Sequence, residues 1–138
     1  MLPLLNHIKK VEFIEARLLR DCTVINGVGF LLNGWRNWQE LPTVGLSSAT
    51  VSSKIVKKNT IYTVKLTATL KEKFEPLNRH LCYRLTTVTG GQLILGTFDK
   101  PYVISTVTDN YPGTVTEKAG TTLTAEYSNI FGLLAILD

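Results

Sequence analysis

A chain of 138 residues, 44% hydrophobic and 19% charged, has the size and composition of one folded domain around one core, which excludes global disorder. Its longest apolar run, Ile130 to Leu137, falls short of the roughly 18 residues a membrane-spanning helix needs, so no membrane association is expected. The formal net charge of +4 is segregated: residues 51–100 carry nine Lys/Arg against three Asp/Glu (+6), residues 101–138 one against four (−3), and residues 1–50 five against four (+1).

At the start, Met1-Leu2-Pro3-Leu4-Leu5 precedes Lys9-Lys10. That is the reverse of the charge-then-apolar order of a secretory signal, and no Asn-x-Ser/Thr site follows anywhere. The expectation is a protein made and folded in a cytoplasm. Leu4, Ile8, Val11 and Leu18 could line a helix, whereas Val11, Phe13 and Ile14 suit a strand; a strand from Val11 to Leu18 is the preferred reading. Asn26-Gly27 and Asn33-Gly34 are turn signals bracketing a short strand, Val28 to Leu32. Tyr62 to Leu70 alternates apolar even and polar odd positions without a slip, the period of a strand with one wet face. With Val51 to Val56 and the polar turn Lys57-Lys58-Asn59 it reads as a hairpin. The alternation stops at Lys71 to Asn78, the one place for a short helix.

A second hairpin joins Leu81 to Thr86 with Leu93 to Leu95 through Thr89-Gly90-Gly91, whose glycines supply the positive φ of a tight turn. Pro101 breaks the ladder, and Tyr102 to Thr108 resumes it. Turns at Asp109 to Gly113 and Glu117 to Gly120 lead to the last strands, Leu123 to Tyr127 and Ile130 to Leu137. Short strands with turns every 8–12 residues predict an all-β, mainly antiparallel fold. We expect a single β domain over residues 1–138, a β-sandwich or partly open barrel with at most one short helix.

No motif argues for an enzyme. Gly90-Gly91-Gln92 matches the tripeptide with which translation release factors reach an ester bond, but it occupies the bend between two strand patterns and reads as a turn. Gly27-Val28-Gly29 has no third glycine and no strand-to-helix setting. His7 and His80 are too few to join Cys22 and Cys82 in a metal site, and the cysteines read as thiols, not a disulfide. Glu12 and Glu15 fall on opposite faces of an extended strand and are not a carboxylate pair. No catalytic residue, metal, cofactor or small-molecule substrate is therefore expected.

Two groups are candidate contact residues. Trp35, Arg36 and Trp38 lie in a turn-rich segment and are of the types that anchor interfaces or stack on bases; the plainer reading has both tryptophans capping an open end of the sandwich. Lys54, Lys57 and Lys58, with Lys65, Lys71 and Lys73, concentrate positive charge on the central hairpin. Such a face can follow a phosphate backbone or simply keep a β edge from aggregating.

The segment from Leu85 to Thr97, with Lys100-Pro101-Tyr102, and the opening Ile8 to Ile14 resemble small structural proteins of tailed phages that infect Bacteroidetes. The shared pattern is a strand, a glycine turn, a strand ending Leu-Gly-Thr and a proline-led strand. The resemblance implies a non-enzymatic virion protein, made in the bacterial host cytoplasm, that forms a homo-oligomeric ring at the tail or head–tail junction and contacts other virion proteins. Residues Gly34 to Ser53 would then be an assembly loop. The alternatives are a nucleic-acid-binding β-barrel that uses the lysine hairpin with Trp35 and Trp38, and a small hydrolase whose site assembles only in the fold.

Overall fold

A computed structural model describes residues 7–19, 22–25, 29–31, 38–71, 80–97, 102–110, 120–129 and 133–137. Among them the strands are β1 (Ile8–Glu15), β2 (Thr23–Ile25), β3 (Gly29–Leu31), β4 (Gln39–Leu41), β5 (Ser48–Val56), β6 (Asn59–Leu70), β7 (Leu81–Thr87), β8 (Gln92–Leu95), β9 (Ile104–Asn110), β10 (Gly120–Asn129) and β11 (Leu134–Leu137). A 3-10 turn, Ala16–Leu19, follows β1. The strands form a seven-stranded sheet in the order β2-β3-β11-β8-β7-β1-β4 and a four-stranded sheet in the order β5-β6-β10-β9. Every pairing is antiparallel except β11 with β3. The fold is all-β and mainly antiparallel with no closed barrel, in keeping with the sandwich or partly open barrel that the short strands and frequent turns predict.

Both sheets feed one core. Val64, Leu66, Ala68 and Leu70 of β6 meet Leu123, Ala125 and Tyr127 of β10 on one side, and Val11, Phe13, Leu81, Tyr83, Leu85, Leu93 and Leu95 on the other. Each Val, Leu or Phe side chain among them, fully buried, is worth about 1.5–3 kcal/mol. Two buried phenols keep their polar ends satisfied: Tyr83 Oη lies 2.6 Å from Ser105 Oγ of the other sheet, and Asn129 Nδ2 donates to Tyr127 Oη at 2.6 Å. The sheets are tied at one corner. Ile8 and Ser47 exchange backbone bonds (3.1 and 2.9 Å), Val44 N donates to Thr69 O, and Lys71 N to Pro42 O. A register shift between Ile8 and Lys10 marks a bulge in β1, the device that bends a strand toward a second sheet.

Several expectations need correction. The first strand starts and ends three residues earlier than expected, because Ala16 to Leu19 coil into the 3-10 turn. Gly34 to Ser53 is not one loop: it contains β4 and the start of β5. Asp109 and Asn110 extend β9 and do not turn, since both pair with β10. The short strand β2 was not expected. The helix was expected over Lys71 to Asn78, and all of that segment beyond Lys71 lies outside the described residues.

Candidate functional site

The β5–β6 hairpin outreaches the core. From Thr50 to Thr60 every residue is exposed, and Ile55 retains 79% of its surface. Its turn is Lys57-Lys58, with φ of 48° and 70°. Positive φ at both central residues defines a type I′ turn, usually built from Asn-Gly because other L-residues are disfavoured there. The hairpin strands and turn carry Lys54, Lys57, Lys58 and Lys65 and no acidic residue. Strands β9 and β10 carry Asp109 and Glu126 and no basic residue.

The outward face of the four-stranded sheet is rich in hydroxyls. Register aligns Ser48, Thr67, Thr124 and Thr106 in one row, and Thr50, Lys65, Glu126 and Ile104 in the next. Thr63 and Ser128 share a hydrogen bond of 3.0 Å in the row beyond. Ile104, 70% exposed, is an apolar exception, as are Val56 and Ile61 toward the hairpin tip.

The outer face of the seven-stranded sheet is partly covered. Ile14, Cys82, Ile94 and Leu134 form a second apolar cluster with Leu19 and Ala16, and Cys22, Trp38, Tyr102 and Ile136 pack against it. Within this face Arg84 makes a two-pronged bond to Glu12, Nε to Oε1 at 2.9 Å and Nη2 to Oε2 at 2.7 Å. Lys10 Nζ stands 3.9 Å from the same carboxylate. The guanidinium also lies over the Trp38 ring, 4.8 Å from its centroid, a cation–π contact. Trp38 Nε1 and Thr86 Oγ1 are buried without a hydrogen-bond partner among the described residues.

Of the candidate residues, Lys54, Lys57 and Lys58 come together on the hairpin. Trp38 sits on the far face of the other sheet, so it neither caps an open end of the sandwich nor joins the lysines. Trp35 and Arg36 lie outside the described residues. The comparisons add no guide: no family model, curated protein or solved structure matches the chain.

The remaining reactive groups stand apart. His80 is exposed at the head of β7 and stacks on Tyr102, ring centroids 3.9 Å apart. Cys22 and Cys82 are both free thiols. Burial, reinforced by nearby Cys22, pushes the Cys82 thiol up to about 12. Among the described residues no three His, Cys, Asp or Glu side chains gather as metal ligands, and no helix is long and apolar enough to cross a membrane. The Glu12–Arg84 pair escaped sequence reasoning. Alternation puts Arg84 opposite Tyr83 and Leu85 in facing, but a carboxylate 72 residues away becomes its partner only through the β1–β7 register.

Proposed function

We propose that this protein is a non-enzymatic virion component that assembles as a homo-oligomeric ring in the tail or head–tail junction of a tailed phage. The observation that carries the reading is the projecting hairpin. It exposes Val51, Ile55 and Val56 to water, at a cost that burial against another copy would remove. It also sets lysines at both strained positions of its turn. Backbone strain that an Asn-Gly turn would avoid points to a role for the side chains placed there. The resemblance of Leu85 to Thr97, Lys100-Pro101-Tyr102 and Ile8 to Ile14 to phage structural proteins supports the virion setting. The contrast between Lys54, Lys57 and Lys58 at the hairpin end and Asp109, the one charge of β9, supports self-association.

A second reading rests on the same lysines: an exposed basic tip can follow the phosphates of a nucleic acid of any sequence. Sedimentation velocity of wild type and Lys57→Glu/Lys58→Glu, across a salt series and with or without duplex DNA, separates the two. Rim charges act mainly on encounter rate. The assembly reading therefore expects the reversal to slow ring formation without unfolding the subunit, with formed rings persisting at high salt. Loss of a salt-sensitive DNA complex, from a protein that is monomeric throughout, would favour the nucleic-acid reading instead.

A further inference from the structure

The two edges of the four-stranded sheet are complementary to each other. A type I′ turn at Lys57-Lys58 is closed by an i to i+3 bond, which makes its flanking residues Val56 and Asn59 the bonded pair from which the ladder is counted. Bonded and non-bonded pairs then alternate along an antiparallel ladder. With a continuous register, Lys54, Ser52 and Thr50 bond to β6, while the N–H and C=O of Ala49, Val51, Ser53 and Ile55 point away from it. Ser47 checks this parity: both its backbone groups turn from β6 and bond to Ile8. Carried across β6 and β10, the same alternation bonds Ile104, Thr106 and Thr108 to β10 and turns Ser105, Val107 and Asp109 outward.

Among the described residues neither outward row has a strand beside it. Free edges of nine and seven residues without proline are the kind that proteins normally blunt, because they template pairing with another chain. The other sheet ends on three-residue strands, β2 and β4, which offer little to pair with.

Resting on the assembly reading above, we propose that β9 of one subunit pairs antiparallel with β5 of the next copy, making one continuous sheet around the ring. Three properties of the chain meet the requirements of such a joint. Three antiparallel pairings separate β5 from β9, so the two edges run in opposite directions. A rotation that keeps strand direction therefore sets β9 against the neighbour's β5 in the antiparallel sense. The outward groups of both edges belong to core-side residues, in register with Leu66 or Val64 on one edge and with Ala125 or Leu123 on the other. Opposed residues of a bonded pair share a face, so the joined sheets keep their hydroxyl faces on one side. The β5 edge with its turn carries Lys54, Lys57 and Lys58 and no acidic residue, and the β9 edge carries one carboxylate, Asp109, and no basic residue. Such a joint is head-to-tail, and closes into a ring when its rotation divides a full circle.

Proline tests the joint at the backbone. Ser53→Pro removes an outward donor from β5, and Asp109→Pro removes one from β9; neither position bonds within its own sheet, which is where an edge strand tolerates proline. Val107→Pro is the second β9 variant should Asp109→Pro fail to fold, with circular dichroism as the check. Sedimentation velocity should show each folded variant as a monomer under conditions where wild type forms its oligomer. An equimolar mixture of the β5 and β9 variants should form a dimer and stop there, because the pair retains one intact β9 facing one intact β5. A folded variant that assembles like wild type overturns the edge assignment and leaves the ring reading standing. So does a mixture that stays monomeric when both variants alone are monomeric, since that is the behaviour of a symmetric joint. A wild type that never assembles overturns the ring reading, and this inference with it.

Discussion

Replacing Arg84 with methionine should cost more than neutralising its partner Glu12, although each change breaks the same ion pair. The asymmetry comes from exposure. The Glu12 side chain is 8% exposed and that of Arg84 20%. Arg84→Met leaves a buried carboxylate without its two short bonds, a loss that costs about 3–5 kcal/mol when nothing replaces them. Lys10, 43% exposed and 3.9 Å from the carboxylate, offsets part of it, and the methionine stem still covers Trp38. About 3 kcal/mol is therefore expected. Glu12→Gln leaves a guanidinium that keeps the Trp38 face, reaches water and still finds an amide oxygen, so about 1 kcal/mol is expected. The double variant should cost less than the sum of the two, because it no longer strands a charge. Urea denaturation at pH 7 measures all three, read from midpoints at constant m. If Glu12→Gln costs more than Arg84→Met, or if the costs simply add, the pair is not the buried unit described.

Leu66→Asp should abolish soluble folding because Leu66 is fully buried, whereas Thr67→Asp, on the hydroxyl face, should leave a folded subunit in circular dichroism. Gly96→Ala should destabilise by more than about 2 kcal/mol in urea: Gly96 has φ of +100°, and an added Cβ would lie 2.7 Å from Val103 Cγ2. Lys57→Asn/Lys58→Gly should raise stability by about 1–2 kcal/mol through relief of turn strain, yet slow assembly by removing the tip charges. For Cys82 the folded state holds the thiol proton more tightly than the unfolded state, whose thiol ionises near 9.0. That contribution is intact below pH 9 and drains as pH rises toward about 12, at about 1.4 kcal/mol per unit. The stability difference between wild type and Cys82→Ala should shift by that slope in denaturation at pH 9–11.

Strands with one wet face were the most legible. Tyr62 to Leu70 alternates because one side meets the core and the other meets water, and the turn at Lys57-Lys58 marks where the hairpin reverses. Leu81 to Thr87 was legible for the same reason, although its second face is covered too: Cys82 packs in the outer cluster and Arg84 in the ion pair. β1 was harder. Both of its faces are buried, and the bulge shifts the phase, so Ile8, Val11 and Phe13 face the core without sharing a parity. The candidate lysines were legible because charge needs no fold to be counted. Trp38 was misplaced because its environment depends on which strand lies beside β1, which local pattern does not specify.

Native mass spectrometry of the wild-type protein over a range of concentrations tests the central claim most directly. The account predicts one oligomer of fixed stoichiometry, reached without nucleic acid and persisting after transfer to high salt, with ring-shaped particles in electron micrographs of the same sample. A protein that remains monomeric at the highest concentrations would contradict it.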